Sequence, residues 1–362
     1  MLSKSNFKID YIRTLQTKYG RDPALLERVL FAFGLVEALI QVELPFIFKG
    51  GTCLMLLLES PERLSTDIDI IVNPGTDIES YIRKASIIFP FISYEEQVRI
   101  GKNNIEKRHF KFLYDSPLSG KRFYILLDAI FAQSPYTQVV SKEVKNAFLH
   151  IEEPKLFVTV PTVESILGEK LTAFAPHTTG IPFGTGRELE IIKQLYDVAV
   201  LFDVMEKQEI VSSTYNNAVM EELSYRGLEL QKKDVLSDTI NASVCIASRG
   251  NPNKQDYAEY LRGIKAIGNH ILTTKYSGEI AAHQACKVMY LAACLLTGVE
   301  FKRITAPDDY ITQSISNDKY SRLSSIRKQK PEAYGYLVEA VKLLENGIDC
   351  NTTAKYSANA AL

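Results

Sequence analysis

Over residues 23–42, apolar side chains recur at Leu26, Val29, Leu30, Phe33, Val36, Leu39 and Ile40. This three-and-four spacing predicts a helix with one face turned to a core. A short apolar run at 44–48 predicts a strand, and Gly50-Gly51 after it marks a sharp turn. Residues 52–58 predict a helix packed on a sheet. Residues 67–72 form a strand closed by Asn73-Pro74-Gly75, and 77–88 a further helix. Three β-rich runs follow at 92–100, 106–114 and 122–131; the last, RFYILLDAIF, is dense and apolar except for Asp128. Residues 164–175 and 188–205 carry helical patterns, and the chain beyond about residue 207 reads as mostly helical, with a strongly apolar stretch at 281–297. The expected organisation is a mixed α/β domain over 1–205, a helical domain over 206–350, and a flexible polar tail over 351–362.

At 362 residues the chain is long enough for about two domains of roughly 150 residues each. The composition, 46% apolar and 23% charged, is that of an ordinary globular protein. A net charge of −1 gives no global attraction to nucleic acid, so phosphate binding would have to rest on local patches. No apolar run reaches the roughly 18 residues of a membrane span, and the polar N-terminus lacks a secretory core. The five cysteines form no CxxC pair and read as reduced, mostly buried thiols, consistent with a cytoplasmic location. The five histidines do not cluster, so a zinc site is not expected.

The richest stretch for chemistry is 49–72, KGGTCLMLLLESPERLSTDIDIIV. Asp67 and Asp69 stand two apart in a strand, on the same side of it. Neighbouring carboxylates on a buried strand repel and lose hydration, which is costly unless a cation sits between them; a divalent metal is the natural partner. The Gly50-Gly51-Thr52 turn offers backbone N–H groups to phosphate. Asp128, inside an apolar strand, demands a partner and is the candidate third metal ligand. Two-metal nucleotidyl transfer needs this set: paired carboxylates, a third nearby and a phosphate-cradling turn. The alternative for Asp128 is that it serves as a cap or bridges to an arginine.

The order of these pieces resembles the AbiEii/AbiGii-type nucleotidyltransferase toxins, a branch of the DNA polymerase β-like superfamily. The pattern is a Lys-Gly-Gly-Thr turn followed by Arg-x-Ser-x-Asp-x-Asp, here Arg63, Ser65, Asp67 and Asp69. It continues into EKLTAF with Lys170, and IIKQLYDVAVLFD with Lys193, Tyr196 and Asp197. Where many members have an acid three residues before this last aspartate, the chain has Gln194. The resemblance spans about residues 45–205. It implies an α+β fold: a polymerase β-like nucleotidyltransferase domain with a mixed sheet, then a helical C-terminal domain. It also implies that Asp67, Asp69, Asp128, Lys170 and Asp197 are catalytic, the three strand aspartates holding Mg²⁺ (or Mn²⁺). Gly50, Gly51, Thr52, Arg63, Ser65, Lys170 and Lys193 would bind the nucleotide. From the residues alone, Lys170 is equally a surface lysine, and Lys193 and Asp197 an i,i+4 ion pair.

The function so implied is a cytoplasmic, Mg²⁺-dependent toxin of a toxin–antitoxin or phage-defence pair, with NTP as substrate, a cognate antitoxin as partner and no membrane. NMP would pass to an acceptor, in this family the tRNA 3′ end. Transfer to a protein hydroxyl is the alternative within enzymes; a catalytically silent nucleotide-sensing or partner-binding module is the alternative outside them. Keeping three costly carboxylates argues against the silent module. The loop 177–187 is either a lid, an acceptor loop or a connector. Lys102, Lys107, Arg108, Lys111, Lys121 and Arg122, interleaved with Phe110, Phe112, Phe123 and Tyr124, suit an RNA backbone or simply the wet face of a sheet. Arg322, Arg327, Lys328 and Lys330 form a second basic set.

Overall fold

A computed structural model describes residues 1–58, 62–97, 106–251, 253–272, 275–317 and 320–358. The chain packs as two units. The first comprises Met1–Ile166 with the short returns Tyr225–Gly227 and Asn269–Lys275; the second comprises Leu167–Ser224, Leu228–Gly268 and Tyr276–Leu362. The helices carrying Lys170 and Asp197, grouped with the first domain on sequence, therefore lie in the second unit.

The first unit runs α1 (Ile9–Tyr19), α2 (Pro23–Gln41), β1 (Ile47–Lys49), α3 (Gly50–Leu57), β2 (Ile68–Val72), α4 (Ile78–Ala85), β3 (Ser93–Gln97), β4 (Lys107–Asp115), β5 (Arg122–Phe131), β6 (Val139–Glu143) and β7 (Phe157–Pro161). A five-stranded sheet has the order β1-β2-β5-β4-β3, with β2 and β5 parallel and the other pairings antiparallel. The expected mixed sheet is thus present. Residues 98–100, the end of the run expected over 92–100, and Lys102 lie outside the described residues.

Alternation along β5 explains how the sheet sits. Ile125, Leu127, Ala129 and Phe131 are buried, while Leu126, Asp128 and Ile130 between them are half-buried. The buried face packs on α2, which starts at an Asp22 cap whose side chain accepts from the Ala24 N–H. Phe31 of α2 stacks on Tyr114 of β4 at 3.8 Å. Glu27 reaches into this apolar layer and is satisfied there: it accepts from the Tyr114 hydroxyl (3.1 Å), the Ser116 hydroxyl (2.9 Å) and the Leu118 N–H (3.3 Å). Burial and the Glu27 charge together push the Tyr114 phenol well above its usual range. Phe110 and Phe112 belong to the same buried layer, so of the four aromatics in the basic run only Phe123 and Tyr124 are exposed.

β6 and β7 form a separate two-stranded sheet that the hydrophobic pattern did not announce. Val139, Val140 and Phe157 remain exposed on it. β7 does bury Val158 and Val160, but β6 is exposed or half-buried along its whole length and offers no alternation to read.

The second unit is helical: most of α5 (Val163–Ala173), then α6 (Glu188–Val204), α7 (Gln208–Arg226), α8 (Lys232–Ala247), α9 (Lys254–Ile267), α10 (Gly278–Thr297) and α11 (Pro331–Ala358). Ser277 caps α10 by accepting from the Ile280 N–H, and Gly298, in the left-handed region, ends it. His283, Gln284 and Lys287 interrupt the apolar run of α10, yet by length and mean composition alone the helix could cross a membrane. Ala281, Ala285, Cys286, Met289, Leu291 and Cys294 along it are all buried, as befits a core helix packed against α6, α8 and α11. The tail expected over 351–362 is helical to Ala358, and residues 359–362 lie outside the described set. Cys53, Cys245, Cys286 and Cys294 are buried thiols outside any disulfide. Burial pushes the thiols of Cys245, Cys286 and Cys294 up to about 12, so they are held as protonated thiols.

Candidate active site

In the first unit the structure brings the 49–72 motif together around the edge of the sheet, and it shows why the motif has those residues. Gly50, at φ +77°, opens α3 where a Cβ would overlap the Asp69 carboxylate. At Gly51 a Cβ would lie 2.6 Å from Arg63 Nη2 and 2.8 Å from Ser65 Oγ. The two glycines are therefore clearances for the Arg-x-Ser-x-Asp-x-Asp segment that follows. Thr52 is fully buried, and its hydroxyl donates to the Asp67 carbonyl at 2.7 Å, tying the helix to the aspartate pair. The lead-in to β2 is held by residues 270–272: Leu64 N–H donates to the His270 carbonyl, and Arg63 and Ile271 form a β-bridge. Arg63 is mostly buried there, and its guanidinium donates to the Leu64 carbonyl at 3.2 Å.

Register completes the arrangement. Asp69 pairs with Lys49 on one side and with Asp128 of parallel β5 on the other. Asp128 in turn pairs with His109 of β4, and His109 with Gln97 of β3. Lys49, Asp69, Asp128, His109 and Gln97 thus form one polar row across the five strands, on the face away from α2. Asp67 precedes the row and is exposed; Asp69 and Asp128 are half-buried. Asp128 does have the partner its position demands, and that partner is a histidine: His109 Nδ1 lies 2.5 Å from Asp128 Oδ1.

Sequence reasoning passed over His109, although a signal existed. Once the turn closes on the Asp115–Arg122 pair, six steps back along each strand bring His109 opposite Asp128.

Among the described residues no three His, Cys, Asp or Glu side chains are gathered as a formed metal cage. The donor chemistry nevertheless fits a hard divalent cation. Asp69 and Asp128 are adjacent carboxylates on neighbouring strands, and Asp67 is two residues from Asp69.

The second unit holds Lys170, Lys193 and Asp197. Lys170 on α5 and Asp197 on α6 make a buried ion pair, Nζ to Oδ2 2.8 Å, with side chains 7% and 2% exposed. The Gln194 side-chain oxygen accepts from the same ammonium at 3.2 Å. Position 194 therefore still supplies an acceptor to Lys170 while carrying no charge. Lys170 is not the surface lysine that its neighbour Glu169 suggested, and the i,i+4 pairing of Lys193 with Asp197 does not form. Lys193 instead meets Glu190, one turn earlier, at 3.0 Å.

The 177–187 loop is pinned within this unit. His177 N–H and the Thr178 hydroxyl both donate to Asp238 Oδ2 (2.8 and 2.9 Å), and His177 Nε2 meets Asp256 at 2.7 Å. Phe183 packs edge-on against His177 and Tyr260. Burial raises the Asp238 carboxyl above its ordinary value, and the donors from Thr178 and His177 oppose that rise.

Of the basic runs, Lys107 lies over the Tyr225 ring (4.1 Å) and Lys111 over Tyr124 (4.8 Å). Arg108 pairs with Glu96, and Arg122 with Asp115. The side chain of Arg322 lies outside the described set.

A glycine turn set against paired strand carboxylates on a mixed sheet defines a nucleotidyltransferase-class domain. Residues 35–270 match the family described as nucleotidyl transferase AbiEii toxin, type IV toxin–antitoxin system; with more than half its length matched, the chain belongs to that family. It is an enzyme family of NTP-using nucleotidyltransferases, and membership implies an antitoxin partner. Among solved structures, the chain is similar to JHP933 from Helicobacter pylori, at 15% identity and a TM-score of 0.42, over 75% of this chain and 94% of that one. A second H. pylori protein, described as a candidate nucleotidyltransferase, aligns at 14% identity and a TM-score of 0.45, over 76% and 99%. No curated protein matches.

Proposed function

We propose that the chain is a Mg²⁺-dependent toxin that transfers NMP from an NTP to the 3′ end of tRNA, releasing pyrophosphate and so blocking translation. The observation that carries the reading is the register of Asp69 with Asp128 on parallel strands, beside Asp67 and beneath a glycine turn that clears room for Asp69. Asp67, Asp69 and Asp128 would hold the divalent metal. When bound, that ion supplies positive charge at the triphosphate and at the attacking hydroxyl.

The chain's own residues do the rest. The N–H groups at the start of α3 face phosphate oxygens, the role expected of a helix N-terminus behind a glycine turn. Arg63 and Ser65, crowded against Gly51, shape this turn and contact phosphate. Thr52 holds the Asp67 backbone in place. Lys170, fixed by Asp197 and Gln194, is assigned to charge developing on the triphosphate, and a lysine already immobilised loses less freedom in doing so. Lys193 is a further nucleotide contact in this reading. Toxin action on translation implies a cytoplasmic location.

Labelled NTPs, Mg²⁺ and either total RNA or total protein as acceptor test the proposal. Label in the tRNA band supports it; label in protein alone replaces the acceptor; no label in either pool overturns the enzymatic reading.

A further inference from the structure

We propose that His109 is a positioning residue that sets the orientation of the Asp128 carboxylate toward a divalent metal. This rests on the reading above that Asp128 is a metal ligand. Asp128 and His109 face each other in the interior of the two long strands of the sheet, β5 and β4, so both backbones are fixed by ladder hydrogen bonds on either side. The side-chain contact is short, 2.5 Å from Nδ1 to Oδ1, and His109 is only 14% exposed. An ionised carboxylate can only accept, so Nδ1 carries the hydrogen and donates it.

On its other flank Asp128 is next to Asp69, one strand spacing or about 4.8 Å away. Two carboxylates at that spacing repel, and nothing in Asp128 itself selects a rotation that keeps both turned to one point. The histidine does select one. By occupying Oδ1 it leaves Oδ2 as the free acceptor, in the way that partners behind metal ligands orient them.

Mn²⁺ binding to the full-length protein, followed by the loss of the free-ion electron paramagnetic resonance signal and without nucleotide, tests this. Mg²⁺ titrations of transfer give a second readout. His109→Leu removes the donor. His109→Asn keeps one, since its amide nitrogen falls where Nδ1 does, whereas the amide of His109→Gln falls where Nε2 does. The expected result is an Mn²⁺ affinity weakened about 10–100-fold in His109→Leu and His109→Gln, with His109→Asn close to wild type. The Mg²⁺ requirement should move in parallel, with circular dichroism unchanged. If His109→Leu fails to fold, the contrast between Asn and Gln carries the same decision. Wild-type affinity in the Leu and Gln variants, or equal impairment in Asn and Gln, overturns the assignment. Asp67→Ala/Asp69→Ala separates the two levels: loss of Mn²⁺ binding there with no change in His109→Leu overturns His109 alone, while undiminished binding there overturns the metal reading and His109 with it.

Discussion

The two units hold their charged groups in opposite ways. On the sheet face, Asp67 is exposed and Asp69 and Asp128 are half-buried, so their charges stay partly hydrated and cost the fold less than the buried strand expected from sequence would have imposed. In the helical unit, Lys170 and Asp197 are withdrawn from water and satisfy one another. A carboxylate left near solvent beside a like charge is poised for a ligand. A buried ion pair is part of the core, and its removal is felt in stability before anything else. The family motif thus joins residues whose loss has different physical consequences.

The contrast can be broken most sharply at its exposed end. Asp128→Ala should reduce transfer to background while leaving the thermal midpoint near wild type; retained activity would show that the third ligand lies elsewhere. At the buried end, Asp197→Ala strands the Lys170 ammonium and should cost about 3–5 kcal/mol in urea unfolding. The double change Lys170→Met/Asp197→Leu should recover most of that stability but no activity, which separates the pair's structural role from its chemical one. Glu27 gives an intermediate case, a buried carboxylate satisfied by three donors; Glu27→Ala should cost about 1–3 kcal/mol by orphaning Tyr114 and Ser116.

The smallest effect concerns Glu96 on β3. Arg108, hydrogen-bonded to it, holds its carboxyl below the ordinary glutamate value. A lowered carboxylate pKa means the contribution is present above the unfolded-state value and lost as pH falls through the folded one. Glu96→Gln should therefore lose a little stability at neutral pH and none in acid, measured as urea midpoints at the two pH values.

Legibility followed the same division. On the sheet, RFYILLDAIF marked β5 from Arg122 to Phe131 by alternation, and KGGT with RLSTDID marked a site by the chemical oddity of glycines and carboxylates beside apolar runs. Asp128's partner was hidden because it depends on a pairing nineteen residues away in the chain, fixed by the hairpin closing on Asp115 and Arg122. In the helical unit local spacing alone offers Lys193 and Asp197 as an ion pair, whereas α5 packs close enough for Lys170 to take the carboxylate, a pairing that only the family resemblance suggested. α10 shows the same limit, since an apolar 20-residue helix reads alike whether it is covered by lipid or by other helices. β6 left no trace because its side chains are exposed or half-buried, and β7 is only five residues long, too short for its buried Val158 and Val160 to stand out.

On the function proposed above, the sheet-face aspartates make the chain a nucleotidyltransferase acting on RNA. The most direct test is label transfer from each of the four α-³²P NTPs to total RNA, comparing wild type with Asp67→Ala/Asp69→Ala at matched circular dichroism. Label is expected at the tRNA 3′ end with the wild type and none with the variant. Equal labelling by both, or none by either, would contradict it.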